Sequence, residues 1–284
     1  MAAIGQDLVE TLSMNSGINP AWLIPEWPAP ARVHAIVTTR TGGQSVAPYD
    51  QLNLADHVGD SAARVASNRA LLQRAIQARP VFLSQVHGTQ AVLLSDTTAQ
   101  GATADGCLAN QPRLACTIMV ADCMPVLLTN TEGSLVAAAH AGWRSLAAHG
   151  GPGIIEHIYE YFTALAPVDS SQVATKLIAW LGPCIGPQAF EVGPEVRAAF
   201  VAHDPAAADL FAPKISDTSG TESGQKWLAN LPGLARLRLN ALGVTQIYGN
   251  DGTRPWCTVS NPSRFFSHRR DRVSGRMAAC IWLD

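Results

Sequence analysis

The sequence predicts an α+β fold built as one domain, and three observations carry that expectation. Strand-like apolar runs outnumber helical segments. Several strands follow one another with no helix between them, which a repeating strand–helix fold would not allow. The Pro/Gly-rich stretches at Pro25–Pro30, Gly150–Gly153 and Gly182–Pro187 are short and flanked by apolar pattern, so none reads as a linker. Residues 1–284 are therefore expected to form a single domain, with residues 1–30 a peripheral N-terminal segment.

In chain order, strands are expected at Val33–Thr38, Val81–Val86, Ala91–Leu94, Leu114–Val120, Pro125–Thr129, Leu135–Ala139, Lys176–Leu181, Val244–Tyr248 and Ala278–Leu283. Helical spacing is clearest in Ala62–Ala78, where Val65, Leu72 and Ile76 share a face. It recurs in Ile154–Leu165, in Pro194–His203 and around Lys226–Leu242. No fixed-period repeat or low-complexity tract interrupts this order.

Composition narrows the function classes. Formal charge is −2 and the 20 basic residues are scattered, so neither nucleic acid nor an anionic membrane is an expected partner. Asp7, Glu10 and Glu26 break the first thirty residues into short apolar stretches, unlike a signal peptide. No window approaches the roughly 18 apolar residues of a spanning helix. The 6 cysteines include no C-x-x-C pair, and most sit in apolar runs where a thiol acts as a small hydrophobe. Reduced thiols in the cytoplasm fit that usage.

The chemistry concentrates between residues 84 and 144, in three pieces: Ser84-Gln85-Val86-His87-Gly88, Ala121-Asp122-Cys123-Met124-Pro125 and His140-Ala141-Gly142-Trp143-Arg144. Each places a soft or borderline metal ligand at or just past the end of an expected strand, where a rigid backbone can aim it into a cleft. Two imidazoles and one thiolate leave a fourth tetrahedral position open, as catalytic zinc requires. A His or Cys at a strand end is by itself more often a packed residue than a ligand, and the spacing matches no short zinc signature. The company strengthens the reading: Gly88, Gly142 and Pro125 permit close backbone approach, and Asp122 and Arg144 bring polar groups to otherwise apolar strands.

Read together with Thr39-Arg40-Thr41-Gly42-Gly43, Leu52-Asn53-Leu54, His57-Val58-Gly59-Asp60, Ala104-Asp105-Gly106, Gly182-Pro183-Cys184-Ile185-Gly186, Phe190-Glu191-Val192-Gly193 and Phe265-Phe266-Ser267-His268-Arg269-Arg270-Asp271, these pieces resemble a known family. It is the laccase-domain family, also described as multicopper polyphenol oxidases, purine nucleoside phosphorylase-type proteins or peptidoglycan editing factors. The resemblance covers most of the chain. It implies a monomeric α-β-β-α sandwich and assigns the metal ligands to His87, Cys123 and His140, with zinc as the expected ion and copper as the alternative. One departure stands at Ser145, where the family usually has Gly; its hydroxyl would narrow the pocket or supply a hydrogen bond.

Of the activities attached to that family, laccase chemistry is discounted: it needs around ten His ligands, largely in H-x-H pairs, and this chain has 8 His with no such pair. The resemblance favours phosphorolysis of adenosine, inosine or methylthioadenosine, with adenosine deamination alongside. Phosphorolysis calls for guanidinium donors to phosphate, for which Arg40, Arg144 and Arg264 are candidates, with Asn53 and His268 as further substrate contacts. Deamination calls for a proton shuttle, for which Asp105, Asp122 or Glu191 qualify. Two other classes stay open: a hydrolase using Cys123 with His140 or His87 as base, consistent with a link to peptidoglycan quality control, and a non-enzymatic ligand-binding regulator.

Overall fold

The computed structural model describes residues 17–148, 151–165, 170–214 and 225–284. In chain order the strands are β1 (Val33–Val37), β2 (Arg79–Phe82), β3 (Ala91–Leu93), β4 (Gly106–Ala109), β5 (Leu114–Val120), β6 (Met124–Asn130), β7 (Val136–Ala141), β8 (Leu177–Leu181), β9 (Glu191–Val192), β10 (Phe211–Pro213), β11 (Trp227–Ala229), β12 (Gln246–Gly249) and β13 (Met277–Leu283). The helices that cover the sheets and border the site are α1 (Ala62–Ile76), α2 (Trp143–Ala147), α3 (Ile154–Leu165), α4 (Pro194–His203), α5 (Leu231–Ala241) and α6 (His268–Asp271).

Side-chain alternation along the strands sets the architecture. In β13, Met277, Ala279, Ile281 and Leu283 enter one apolar layer, whereas Ala278, Cys280 and Trp282 enter another. Strand β5 does the same, with Leu114, Cys116, Ile118 and Val120 on the first side and Ala115 and Met119 on the second. The first layer also takes Val136 and Ala138 of β7, Leu127 of β6 and Trp180 of β8, so it lies between two sheets packed face to face. One sheet has the order β1-β13-β5-β2 and the other β12-β8-β6-β7-β4-β3. Helix α1 covers the outer face of the first through Leu72, Ala75 and Ile76. Helices α3 and α5 cover the outer face of the second through Ile154, Ile158, Phe162, Leu234 and Leu239. The result is a mixed α-β-β-α sandwich, in line with the sequence expectation, with a three-stranded sheet β10-β11-β9 beside it.

Because β5 to β8 are buried throughout, both faces must be apolar, which is why these strands read as continuous apolar runs rather than alternating ones. Ile118 is fully buried between the sheets. An Ile118→Ala substitution is expected to lower stability by about 3 kcal/mol, read by denaturant unfolding.

Several boundaries differ from expectation. The run read as Val81–Val86 leaves the sheet after Phe82, because residues 84–88 form a strap around the buried carboxylate of Asp105. The helix read around Lys226–Leu242 begins at Leu231, capped by the Asn230 side chain accepting from Gly233 N at 3.0 Å, and Trp227–Ala229 is a strand. Strand β4 has no counterpart among the expected strands, since Gly-Cys-Leu-Ala is too short to show a period. Residues 1–16 of the N-terminal segment lie outside the described residues; in its remainder Trp22 is buried and Leu23 bridges Val37 antiparallel.

Candidate metal centre and its arginine-lined cavity

The site is assembled by pairing between β4, β6 and β7. Register sets Gly106 opposite Ala139 and Met124 opposite Ala141. That brings Asp105, just before β4, against His140, and brings Cys123, just before β6, against Gly142. His140 continues the parity of Val136 and Ala138, so it emerges at the end of the layer between the sheets. Gly142 is required sterically: a Cβ there would stand 2.9 Å from Cys123 Sγ and 3.2 Å from the His87 ring.

His87 arrives from the strap. The fully buried Asp105 carboxylate accepts the backbone N–H groups of Val86 (3.1 Å), His87 (2.9 Å) and Gly88 (2.6 Å). Gln85 anchors the other end, its amide donating to Met119 O and accepting from Met119 N, both at 2.8 Å. The strap thereby holds His87 at φ 60°, a left-handed conformation uncommon for a residue with a side chain. The same carboxylate accepts from His140 Nδ1 at 2.8 Å, which leaves His140 Nε2 as the free ring nitrogen. Burial opposes ionisation of Asp105, but His140 and the strap N–H groups hold it below the usual carboxylate range.

The ligand atoms of His87, Cys123 and His140 all lie within 4.8 Å of one another, and the imidazole rings sit 4.7 Å apart, edge to face. Cys123 Sγ stands 3.7 Å from His87 Nε2, close to the roughly 3.5 Å that separates sulfur and nitrogen around one tetrahedral zinc. The residues thus fit a divalent ion with a carboxylate–histidine support behind it. Burial works against a Cys123 thiolate, yet the neighbouring His140 imidazolium and hydrogen bonds from both imidazoles pull the thiol down to about 6. Burial likewise disfavours the His140 cation, but the Cys123 thiolate and Asp105 raise His140 to about 9. In metal-stripped protein, alkylation of Cys123 is expected to rise through pH 6 and level off above pH 7, because the thiolate is the reacting form. The other five cysteines are buried and should stay unlabelled, and mass spectrometry of the alkylated protein checks both statements.

The three residues open onto a cleft of about 340 Å³. Arg144, Arg269, Arg272 and Arg276 line it with His57 and His268, while Asp122 is the carboxylate on the wall. Met119, Trp143, Ile185, Phe190 and Leu231 supply an apolar side. Asp122 is strained at φ 93° and has both oxygens committed, Oδ1 accepting from Thr258 Oγ1 and Oδ2 from Arg269 N, each at 2.6 Å. Three of the non-glycine residues with positive φ, His87, Asp122 and Arg272, line this one cleft. Each such residue costs on the order of 1–3 kcal/mol, and strain of this kind gathers at functional sites.

Not every expected residue is here. Arg40 is a staple: its guanidinium donates to Asp50 O and Pro262 O, pairs with Asp50 at 3.2 Å and lies over Phe266, away from the cleft. Asn53 is fully buried, donating to Ala55 O and Asp60 and accepting from Arg276 N, so it supports the wall without touching the cavity. Arg264 is exposed over Phe265 and does not line the cavity. Glu191 is also outside, ion-paired with Lys214, which holds its carboxyl below the usual range. Asp105 is too enclosed to pass protons to a substrate; it positions His87 and His140. Ser145 neither narrows the cleft nor finds a partner: it is buried, outside the lining, and its hydroxyl has no hydrogen bond among the described residues. His268 and Arg144 do line the cavity.

His57, Arg269, Arg272 and Arg276 line the cleft although the sequence reading gave them no site role, His57, Arg269 and Arg272 standing within or beside the motif pieces. A signal for three of them is present, because residues 268–276 hold the densest basic cluster of the chain. The cluster divides its work: Arg270 turns inward to Thr258 O and Phe265 O, while Arg269 and Arg272 face the cleft. A Gly142→Ala variant tests the crowding around the ligands; it should reduce metal content well below that of the parent protein, since backbone φ there is −75° and permits Ala while the Cβ collides with Sγ.

Comparisons with known proteins place the chain among relatives along most of its length. The chain is 46% identical over 265 residues to a protein of Pseudomonas aeruginosa named a purine nucleoside phosphorylase, covering 93% of this chain and 99% of that one. It is 43% identical over 263 residues to one of the same name from Escherichia coli, covering 92% and 98%. Among solved structures, a Neisseria meningitidis protein at 40% identity superposes with a TM-score of 0.79 over 93% of this chain and 99% of that one. YlmD of Geobacillus stearothermophilus, 28% identical, superposes at 0.74 over 90% and 93%. The model of the family described as multi-copper polyphenol oxidoreductase laccase matches residues 34–284, and the chain belongs to that family.

Proposed function

We propose that this chain is a metal-dependent purine nucleoside phosphorylase that converts adenosine, inosine or methylthioadenosine and phosphate to free base and ribose 1-phosphate. The observation that carries the reading is the juxtaposition of a two-His, one-Cys ligand group with a cleft bearing four arginines. In phosphorolysis a phosphate oxygen bonds to the sugar C1′ as the C1′–N bond breaks, and its electron pair leaves with the base, which takes up a proton. Guanidinium groups hold the dianion and neutralise it against the developing charge. Met119, Phe190, Ile185 and Leu231 offer the base an apolar wall. His87, Cys123 and His140 would hold the ion, which when bound supplies Lewis-acid charge stabilisation in the cavity. Zinc suits this ligand set, and copper is the alternative on affinity grounds.

Adenosine deamination belongs to the same proposal, with Asp122 as its acid–base candidate because it is the expected carboxylate that lines the cleft. A monomer in the cytoplasm is the setting we infer; the six free thiols support that compartment, and among the described residues no helix is long and apolar enough to cross a membrane.

The test is incubation of the purified protein with inosine, with and without phosphate. Hypoxanthine released only with phosphate supports the proposal, and chelation should abolish it until zinc is restored. A second reading has its own observation: Cys123 lies beside two imidazoles, with His87 Nε2 3.7 Å from its sulfur and His140 oriented by Asp105, the makings of a Cys–His hydrolase. What favours the metal is that both imidazoles converge on the thiol, with all three ligand atoms within 4.8 Å of one another, where a hydrolase needs only one base. Activity that survives metal removal but not Cys123 alkylation would decide for the hydrolase.

A further inference from the structure

We propose that Arg272 is the residue that captures inorganic phosphate at this site, an assignment that rests on the phosphorylase reading. The four cavity arginines are not equivalent. Arg269 Nη1 donates to Glu191 O at 3.0 Å and its guanidinium packs near Phe190. Arg276 Nη1 donates to Ser274 O and Gly275 O. Arg144 lies over the Trp143 ring at 4.5 Å. Arg272 makes no side-chain hydrogen bond or ion pair with any described residue. Its neighbour Asp271 does not neutralise it, because both Asp271 oxygens are taken by Arg270, at 2.7 Å each. A phosphate dianion is best met by a guanidinium whose fork is uncommitted; Arg144 and Arg272 both meet that condition among the described residues, but Arg144 is held against a ring and Arg272 is not.

The backbone supplies an independent argument. Arg272 has φ 62° and ψ −58°, and Val273 N donates to Asp271 O at 2.7 Å across it. These are the marks of a γ-turn of the rare, strained kind. Glycine would occupy such a turn without strain, yet an arginine stands there and lines the cleft. A solvated surface arginine gives no reason to keep that conformation, whereas one that must reach an anion does. Arg272 N donates to His268 O at 2.9 Å, which ties the turn to α6 and to His268, another cavity residue.

The test uses the metal-loaded full chain and two variants, Arg272→Gly and Arg272→Lys. Direct titration with inorganic phosphate alone should show binding to the parent protein and at least about tenfold weaker binding to Arg272→Gly, with Arg272→Lys between them because the ammonium keeps the charge but not the fork. In turnover, the KM for phosphate should rise by a similar factor while the KM for inosine stays within about twofold. Metal content should be unchanged, and the melting temperature of Arg272→Gly should equal or exceed that of the parent, since glycine relaxes the turn. Phosphate affinity within about twofold of the parent in Arg272→Gly, or no phosphate binding by the parent, overturns the assignment. Phosphate binding that depends on Arg272 without any release of base would support the assignment and sink the phosphorylase reading instead.

Discussion

Asp105→Ala is expected to cost the protein both its metal and a large part of its stability. One fully buried carboxylate satisfies three strap N–H groups and His140 Nδ1. Without it the strap keeps only its Gln85 anchor, the N–H groups that hold His87 at φ 60° lose their acceptor, and His140 loses the partner that fixes its tautomer. Removing one member of a buried, charge-assisted cluster leaves the others unpaired, so we expect destabilisation of about 3 kcal/mol or more. Asp105→Asn separates the two effects. It keeps the shape and part of the accepting capacity, so the fold should survive, while weaker orientation of the imidazole should lower metal affinity by roughly 10–100-fold. Metal titration of the folded Asn variant checks the second effect, and urea unfolding of the Ala variant the first.

Cys123→Ala should remove the sulfur ligand with little harm to the fold, because the side chain sits at the cleft rather than in the core. The remaining pair, His87 and His140, offers two neutral donors where a stable site needs at least three protein ligands. We expect metal content to fall to background and phosphate-dependent base release to drop by more than about 100-fold, beyond what loss of a supporting residue produces. Circular dichroism of the variant alongside its metal content distinguishes loss of a ligand from loss of structure.

How much is legible in the sequence differs from element to element for physical reasons. Strand β5 coincides with its expected bounds because it is a continuous apolar run with clear ends, and helices α3 and α4 because each keeps a helical period up to a clear end. The strap is invisible there, since the run from Val81 begins as a strand does and the groups that bend residues 84–88 out of the sheet, Asp105 and Met119, are distant in sequence. Pairing of β4, β6 and β7 is a tertiary fact, so nothing in the spacing of residues 87, 123 and 140 foretells that their ligand atoms meet; the motifs do. Charge misleads in the opposite direction. Arg40 and Arg264 look free in sequence but are spent on a loop staple and a surface stack. Arg269, Arg272 and Arg276 sit in a basic run that resembles a solvated face until α6 and the start of β13 curl it around the cleft.

The proposed function requires one ion held by His87, Cys123 and His140. Elemental analysis of the purified protein beside its His87→Ala and Cys123→Ala variants tests it most directly. The expected result is close to one zinc or copper per chain in the parent and background levels in both variants, with phosphate-dependent release of hypoxanthine following the metal. A parent protein that takes up no divalent metal, or variants that retain it in full, would contradict the claim.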